Sequence, residues 1–333
     1  MSEVFDRASA LRLAASAAVT SRLRFPATHP RWRFVFVNHA LTNPFFIPAR
    51  YGSDDAAKVL DVSVTWTGSR SSDVGEMVKA MKHAVDTRAH GIAVSIIDET
   101  AFNATTELAL KHGIPVVAYN ADGGKANKRL AYIGQDNYQS GLEMGARIVS
   151  LVPEGQVCIF IATPNQQNIQ PRVDGALDAI RDSGQPLRVH VVASGVDVVT
   201  ERKKIEASYR ANPHVRGLFA VDAGSTQGVA DVMLAHRLHA KGVRGGGYDL
   251  LPATLQAIHD RHLDFTIDQQ PYLQGFLPVL QLFLDRYSSG LVAPADTNTG
   301  LNFVTRKTVA RYLTTRSRFE GSSSAESFPV SPK

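Results

Sequence analysis

Ten short runs of apolar and β-branched residues recur along the chain, most of them separated by longer segments whose apolar residues fall at helical spacing, giving a repeat of about 25 to 30 residues. The runs are "RFVFVN", "VSVTWTG", "GIAVSII", "PVVAYN", "LAYIGQ", "QVCIFIAT", "LRVHVVASG", "GLFAVDA", "RGGGYDL" and "FTIDQQ". Successive side chains of a strand point to opposite faces, so a run that is apolar at nearly every position needs cover on both. Intervening segments such as "DVGEMVKAMKHAVDTRA" and "YQSGLEMGARIVSLVP" supply that cover as helices, which predicts parallel sheets. About five strand–helix units precede "YIGQDN" and about four follow it, too many for one compact open sheet. The expected fold is α/β, with two similar lobes, each a parallel-type β-sheet flanked by helices.

A chain of 333 residues, 44% hydrophobic and 20% charged, is long enough for two such domains. Its net charge of +5 comes from scattered basic residues ("KANKR", "ERKK", "RSR"), which read as solvated faces and not as a nucleic-acid stripe. The single cysteine, Cys158, excludes an intrachain disulfide and is expected to be a buried thiol. No run reaches the length of roughly 18 apolar residues that a membrane span requires. Residues 1–30 are rich in Ala, Ser and Arg. They read either as an export signal of twin-arginine type with one arginine missing or as an amphipathic arm. Residues 314–333, rich in Ser and Pro, read as a flexible tail.

In open α/β sheets ligands bind beyond the carboxyl ends of the strands. Those positions hold Asn38, His39, Asn43, Phe45 and Phe46, then Asn120, then Gln135, Asp136 and Asn137, then Asp222, Asp249, Asp268, Gln269 and Gln270. Carboxylates and carboxamides exchange hydrogen bonds with neighbouring hydroxyls, and flat rings cover the C–H faces of a sugar. Any one such Asp is equally well a helix cap. Phosphate-binding glycine loops, a nucleophile elbow and a zinc-protease motif are all absent. The pairs His236/His239 and His259/His262 lack a third metal ligand at suitable spacing. Asp222 and Asp249 as an acid–base pair would make the chain a sugar-processing enzyme, but nothing in the sequence raises one carboxyl above the other.

The strings "TNPFF", "GIPVVAYN", "YIGQDNYQSG", "IQPRVDGALDAI", "HVRGLFAVDAGSTQG", "GGYDLLP" and "TIDQQPYLQG" resemble, in order and spacing, the periplasmic sugar-binding proteins of ABC transporters. That is the type I fold with ribose-binding protein as template, and the resemblance covers about residues 31–313. It implies that Asn43, Phe45 and Phe46 contact ligand from the first lobe and that Asp249 and Gln269 bind hydroxyls from the second lobe and hinge. Asn120 stands where ribose binders carry aspartate, Ala121 where they carry arginine, and Asp222 where they carry asparagine. Gln170 stands where a second arginine is expected, with Arg172 two residues on, and the third aromatic expected near Val196 is missing. Losing arginine forks and gaining Asp222 shifts the mapped pocket toward negative charge. This implies a ligand other than ribose: a larger sugar, a polyol or inositol, or a sugar carrying an amine.

The resemblance also implies three hinge crossings. One lobe would span about residues 31–134 plus 271–298, the other about 135–270 plus 299–313. It further implies a monomer without cofactor, metal or nucleic acid, located in the periplasm or otherwise outside the cytoplasm, meeting the membrane only through an ABC permease. Two readings share the core: a chemotaxis or two-component sugar sensor, and a LacI-type regulator. The regulator needs a DNA-binding segment of about 60 residues, and about 30 precede Arg33.

Overall fold

A computed structural model describes residues 28–314. The leader read at 1–30 and the tail read at 314–333 therefore lie almost wholly outside the described residues. In chain order the elements begin with β1 (Arg33–Asn38), a 3₁₀ turn (Pro44–Phe46), α1 (Ile47–Leu60), β2 (Ser63–Gly68), α2 (Val74–Asp86) and β3 (Gly91–Val94). They continue with α3 (Asn103–Lys111), β4 (Val116–Tyr119), β5 (Ala131–Gly134), α4 (Asn137–Leu151), β6 (Gly155–Ile161) and α5 (Gln170–Asp182). Next come β7 (Leu187–Ala193), α6 (Val198–Ala211), β8 (Gly217–Ala220), α7 (Ala223–Ala235), β9 (Arg244–Tyr248) and α8 (Pro252–His259). The last are β10 (Phe265–Asp268), α9 (Pro271–Tyr287), β11 (Thr297–Asn298), β12 (Asn302–Thr305) and α10 (Ala310–Thr314).

Two six-stranded sheets form, in the orders β11-β5-β4-β3-β1-β2 and β12-β10-β9-β8-β6-β7. Every pairing is parallel except β10 with β12, which is antiparallel. The two-sheet α/β architecture expected from the repeat is thus present, extended by two short edge strands that the repeat does not announce.

Alternation within a strand explains the layers. In β1, Phe34 and Phe36 join the core under α1 and α9, whereas Val35 and Val37 join the core under α2 and α3. In β6, Cys158 and Phe160 pack with residues of α6, α7 and α8, and Val157, Ile159 and Ile161 pack with residues of α4 and α5. Each such fully buried large side chain contributes roughly 1.5–3 kcal/mol. Cys158 is a buried free thiol.

The chain passes from one sheet to the other after β5, after β10 and after β11, and the three crossings are tied to one another. Gln135 Nε2 donates to Gly300 O (3.1 Å) and Thr299 Oγ1 donates to Gln269 O (2.9 Å). Gln270 turns the second crossing, from β10 into α9, with φ +58°.

The helices α1 and α9 approach so closely that glycine is required at the crossing: a Cβ on Gly275 would lie 1.7 Å from Ala49 O, and one on Gly52 2.1 Å from Tyr272 O. We expect Gly275→Ala to force the two helices apart and cost about 1–3 kcal/mol, read as a lowered urea midpoint at unchanged slope. A variant with wild-type stability would show that the helices do not sit at this separation.

Candidate functional site

The carboxyl ends of both sheets face one cleft of about 610 Å³. The first sheet lines it with His39, Asn43 and Pro44 after β1 and Arg70 to Ser72 after β2. The second contributes Gln166 and Asn168 after β6, Val196 to Val198 after β7, Asp222 to Gly224 after β8 and Leu251 after β9, with Glu201 from the first turn of α6. Beside it, Phe45 with Pro44 and Pro48 faces Asp249, Leu251 and Asp268 across a narrow gap.

Local sequence explains how the first wall is built. Asn43 Oδ1 accepts from the Phe45 amide (2.9 Å) and Pro44 occupies the first helical position, so the turn starts where the cap and the fixed proline φ dictate. The two rings then separate in role. Phe46 is 1% exposed and packs edge-to-face against His39 and Tyr119, inside the core. Phe45 packs edge-on to Phe46 and reaches the other sheet's loops. His39 is buried, with Nδ1 hydrogen-bonded to Ser95 Oγ at 2.8 Å, and burial holds its pKa down at about 4. It is a neutral ring at physiological pH.

Behind the gap lies a buried polar cluster. Arg172 donates from Nε to Asn137 Oδ1 (3.0 Å), from Nη1 to Val221 O (2.9 Å) and from Nη2 to Gln269 Oε1 (3.0 Å), with its guanidinium over the Tyr248 ring. Gln269 Nε2 donates to Asp249 Oδ1 at 2.7 Å. Gln274 Nε2 donates to Gln269 Oε1 (3.2 Å), and its own Oε1 accepts from Asn120 Nδ2 (3.1 Å). Asn120 and Asp249 both sit at positive φ, +62° and +75°, which turns their side chains at the strand ends.

Asp222 caps α7. It accepts from the Ser225 amide (2.8 Å), Ser225 Oγ (2.9 Å) and the Ala162 amide (2.8 Å), so the cap and the cleft wall are the same residue. Among the sequence-derived candidates, His39, Asn43 and Asp222 line the cleft, and Phe45 and Asp249 line the gap. Asn120, Arg172 and Gln269 form the buried cluster, and Phe46 is core. Gln170 is not brought in: half-exposed at the start of α5, it accepts from the Asn165 amide and donates to Asp174. Two residues apart on a helix is about 200° of rotation, so only one of Gln170 and Arg172 can face inward, and it is Arg172. Gln274, in the buried cluster, and Glu201, on the cleft wall, were not singled out in the sequence, whereas Asn137, named there at a strand end, joins the cluster as an acceptor for Arg172. Glu201 had a signal, because it precedes buried Ile205 by four residues on a helix otherwise lined with Arg and Lys.

Burial dominates the electrostatics. It pushes Asp249 up to about 7, opposed by the nearby Arg172 charge and by the Gln269 hydrogen bond. Burial also raises Asp222 against its amide donors, and burial together with the Asp222 charge lifts Glu201 to about 9. An acid whose pKa is higher folded than unfolded binds more protons in the native state, so stability falls as pH rises from about 4 through 7. Asp249→Asn should remove that slope. By urea unfolding, the stability of wild type relative to Asp249→Asn should decline between pH 5 and pH 8. A constant difference would show that Asp249 ionises freely.

A family model described as periplasmic binding protein domain matches residues 34–283. The chain is 48% identical over 311 residues to the xylose/arabinose-binding protein XylF of Sulfolobus acidocaldarius, covering 89% of this chain and 76% of that one. It is 23% identical to the D-allose-binding periplasmic protein of Escherichia coli, over 79% of this chain and 87% of that one. The arabinose-binding protein AraP of Geobacillus stearothermophilus superposes with a TM-score of 0.69 at 27% identity, over 85% of this chain and 99% of that one. A solute-binding protein of Burkholderia graminis in complex with D-arabinose superposes with a TM-score of 0.78 at 23% identity, over 84% and 97%, which speaks to fold alone. Two parallel-type sheets meeting at their carboxyl ends around a polar cleft, together with these likenesses, make the chain a member of the periplasmic binding protein family.

Proposed function

We propose that the chain captures an aldopentose of the xylose or arabinose type between its two sheets and delivers it to the permease of an ABC importer. The observation that carries this reading is the 48% identity to a xylose/arabinose-binding protein, which spans both walls of the cleft. The site chemistry supports it. Asp249, Gln269, Asn120 and Arg172 offer acceptors and donors at the base of the gap, and Phe45 offers a ring face. Asp222 and Asp249 are held in hydrogen bonds within the protein, which suits hydroxyl recognition better than proton abstraction.

On the same reading the lobes are residues 31–134 plus 271–298 and 135–270 plus 299–313, moving about the three crossings to close on ligand. The receptor works as a monomer outside the cytoplasm and touches the membrane only through its permease. Among the described residues no helix is long and apolar enough to cross a membrane, and no group of His, Cys, Asp and Glu is placed to hold a metal.

Calorimetric titration with D-xylose, L-arabinose, D-arabinose, D-ribose, D-glucose and myo-inositol tests the proposal. Xylose or an arabinose should bind at least about tenfold tighter than ribose or inositol, because a buried polar group left unpaired by the wrong hydroxyl pattern is costly. Asp249→Ala should lose binding by about a hundredfold or more while still unfolding cooperatively. A wild-type protein that binds none of these sugars overturns the proposal.

A further inference from the structure

Glu201 stands in the first turn of α6, within "TERKK", yet it is 3% exposed and lies on the wall of the cleft. Its Oε1 is 3.5 Å from Ser225 Oγ, its carboxyl shares a hydrogen bond with that of Asp222, and its Oε2 accepts from no N–H or hydroxyl of the protein. Oε2 is seated over Gly224: a Cβ there would lie 2.0 Å from it, so glycine at the first turn of α7 is what leaves the carboxyl its place. Gly224 lines the same cleft. Neighbouring Asp222, by contrast, accepts three hydrogen bonds from Ala162 and Ser225.

A buried polar atom left without a donor carries an unmet desolvation cost, which a bound hydroxyl relieves. We propose that Glu201 is a specificity-determining ligand contact of the cleft, its Oε2 hydrogen-bonded to a hydroxyl of the bound carbohydrate. This rests on the carbohydrate-binding reading above. The groups facing Glu201 are Asp222 and Ser225 of α7, Asp197 at the cap of α6, and Ser194 after β7 through its hydrogen bond to Ser225. Both charged neighbours are acidic, and with burial they keep the proton on Glu201 at neutral pH. The contact is therefore made by a carboxylic acid, which can donate as well as accept, and a primary amide can replace it.

The test is calorimetric titration of wild type, Glu201→Gln and Glu201→Leu with the best-bound pentose and with its deoxy analogues, each lacking one hydroxyl. Thermal unfolding without sugar serves as control. Glu201→Leu should weaken the parent sugar by about tenfold or more, and Glu201→Gln should stay within about threefold. One deoxy analogue should bind wild type poorly and lose little further affinity in Glu201→Leu, the coupling expected when that hydroxyl and Glu201 are partners. Equal losses for every analogue, or no loss in Glu201→Leu, overturn the inference while the carbohydrate reading stands. A wild type that binds no sugar overturns both. If Glu201→Leu does not fold, Gly224→Ala displaces Oε2 from the other side and should give the same pattern of losses; unchanged affinity there overturns the inference.

Discussion

The buried guanidinium of Arg172 dictates the orientation of every amide around it. A cation removed from water costs several kcal/mol unless its donors are met, and here they are met by Asn137 Oδ1, Val221 O and Gln269 Oε1 with a ring face beneath. Because Gln269 must present its oxygen to Arg172, its nitrogen is left to donate to Asp249. Gln274 then has an acceptor in Gln269 Oε1 and turns its nitrogen that way, which leaves its own oxygen to accept from Asn120 Nδ2. The end of the chain is Asn120 Oδ1, buried and without a partner in the protein. One charge on α5 thus sets an open acceptor on the opposite sheet.

That chain of amides runs along the hinge and not across the mouth of the cleft. Gln269 closes β10, Gln274 opens α9, and Thr299 lies in the crossing after β11, where its hydroxyl donates to Gln269 O. Across the cleft the contacts are sparser: Phe45 against Ala223 and Leu251, and the Gln167 amide to Ile97 O at 3.1 Å. Rotation about the crossings would break the second set while keeping the first. With the lobe motion proposed above, the polar cluster holds its geometry while the mouth opens, and the acceptors it presents need no rearrangement on binding.

What was legible in the sequence followed from period. Strands buried on both faces read as apolar runs, and ten of them lie where the sheets need them. The two that were missed, β11 and β12, are short edge pieces with no run to see. In the candidate site, strand-end position was a good guide to Asp222, Asp249, Asn120 and Gln269, because backbone geometry alone brings those ends together. Helical positions were harder. Linear matching singled out Gln170 beside Arg172, a choice that helical phase reverses, and Glu201 was hidden among Arg and Lys because its burial depends on which side of α6 meets α7. The adjacent rings Phe45 and Phe46 could be placed but not divided between core and cleft, since that division depends on His39 and Tyr119 arriving from other elements.

The missing arginines and the gained Asp222 suggested a pocket shifted toward negative charge, and burial opposes that shift. Glu201 is lifted to about 9 and Asp249 to about 7, and Asp222 is raised as well, with Arg172 the cation that acts on the two aspartates. Near neutral pH Glu201 keeps its proton and Asp249 is about half protonated, so the site carries less negative charge than its carboxyls alone would give while remaining dense in donors and acceptors. Such a lining gives an amine no full counter-charge to replace its hydration, but it answers each hydroxyl with a partner of either polarity. The same burial that costs stability as pH rises therefore suits the ligand proposed above, uncharged and polar on every edge.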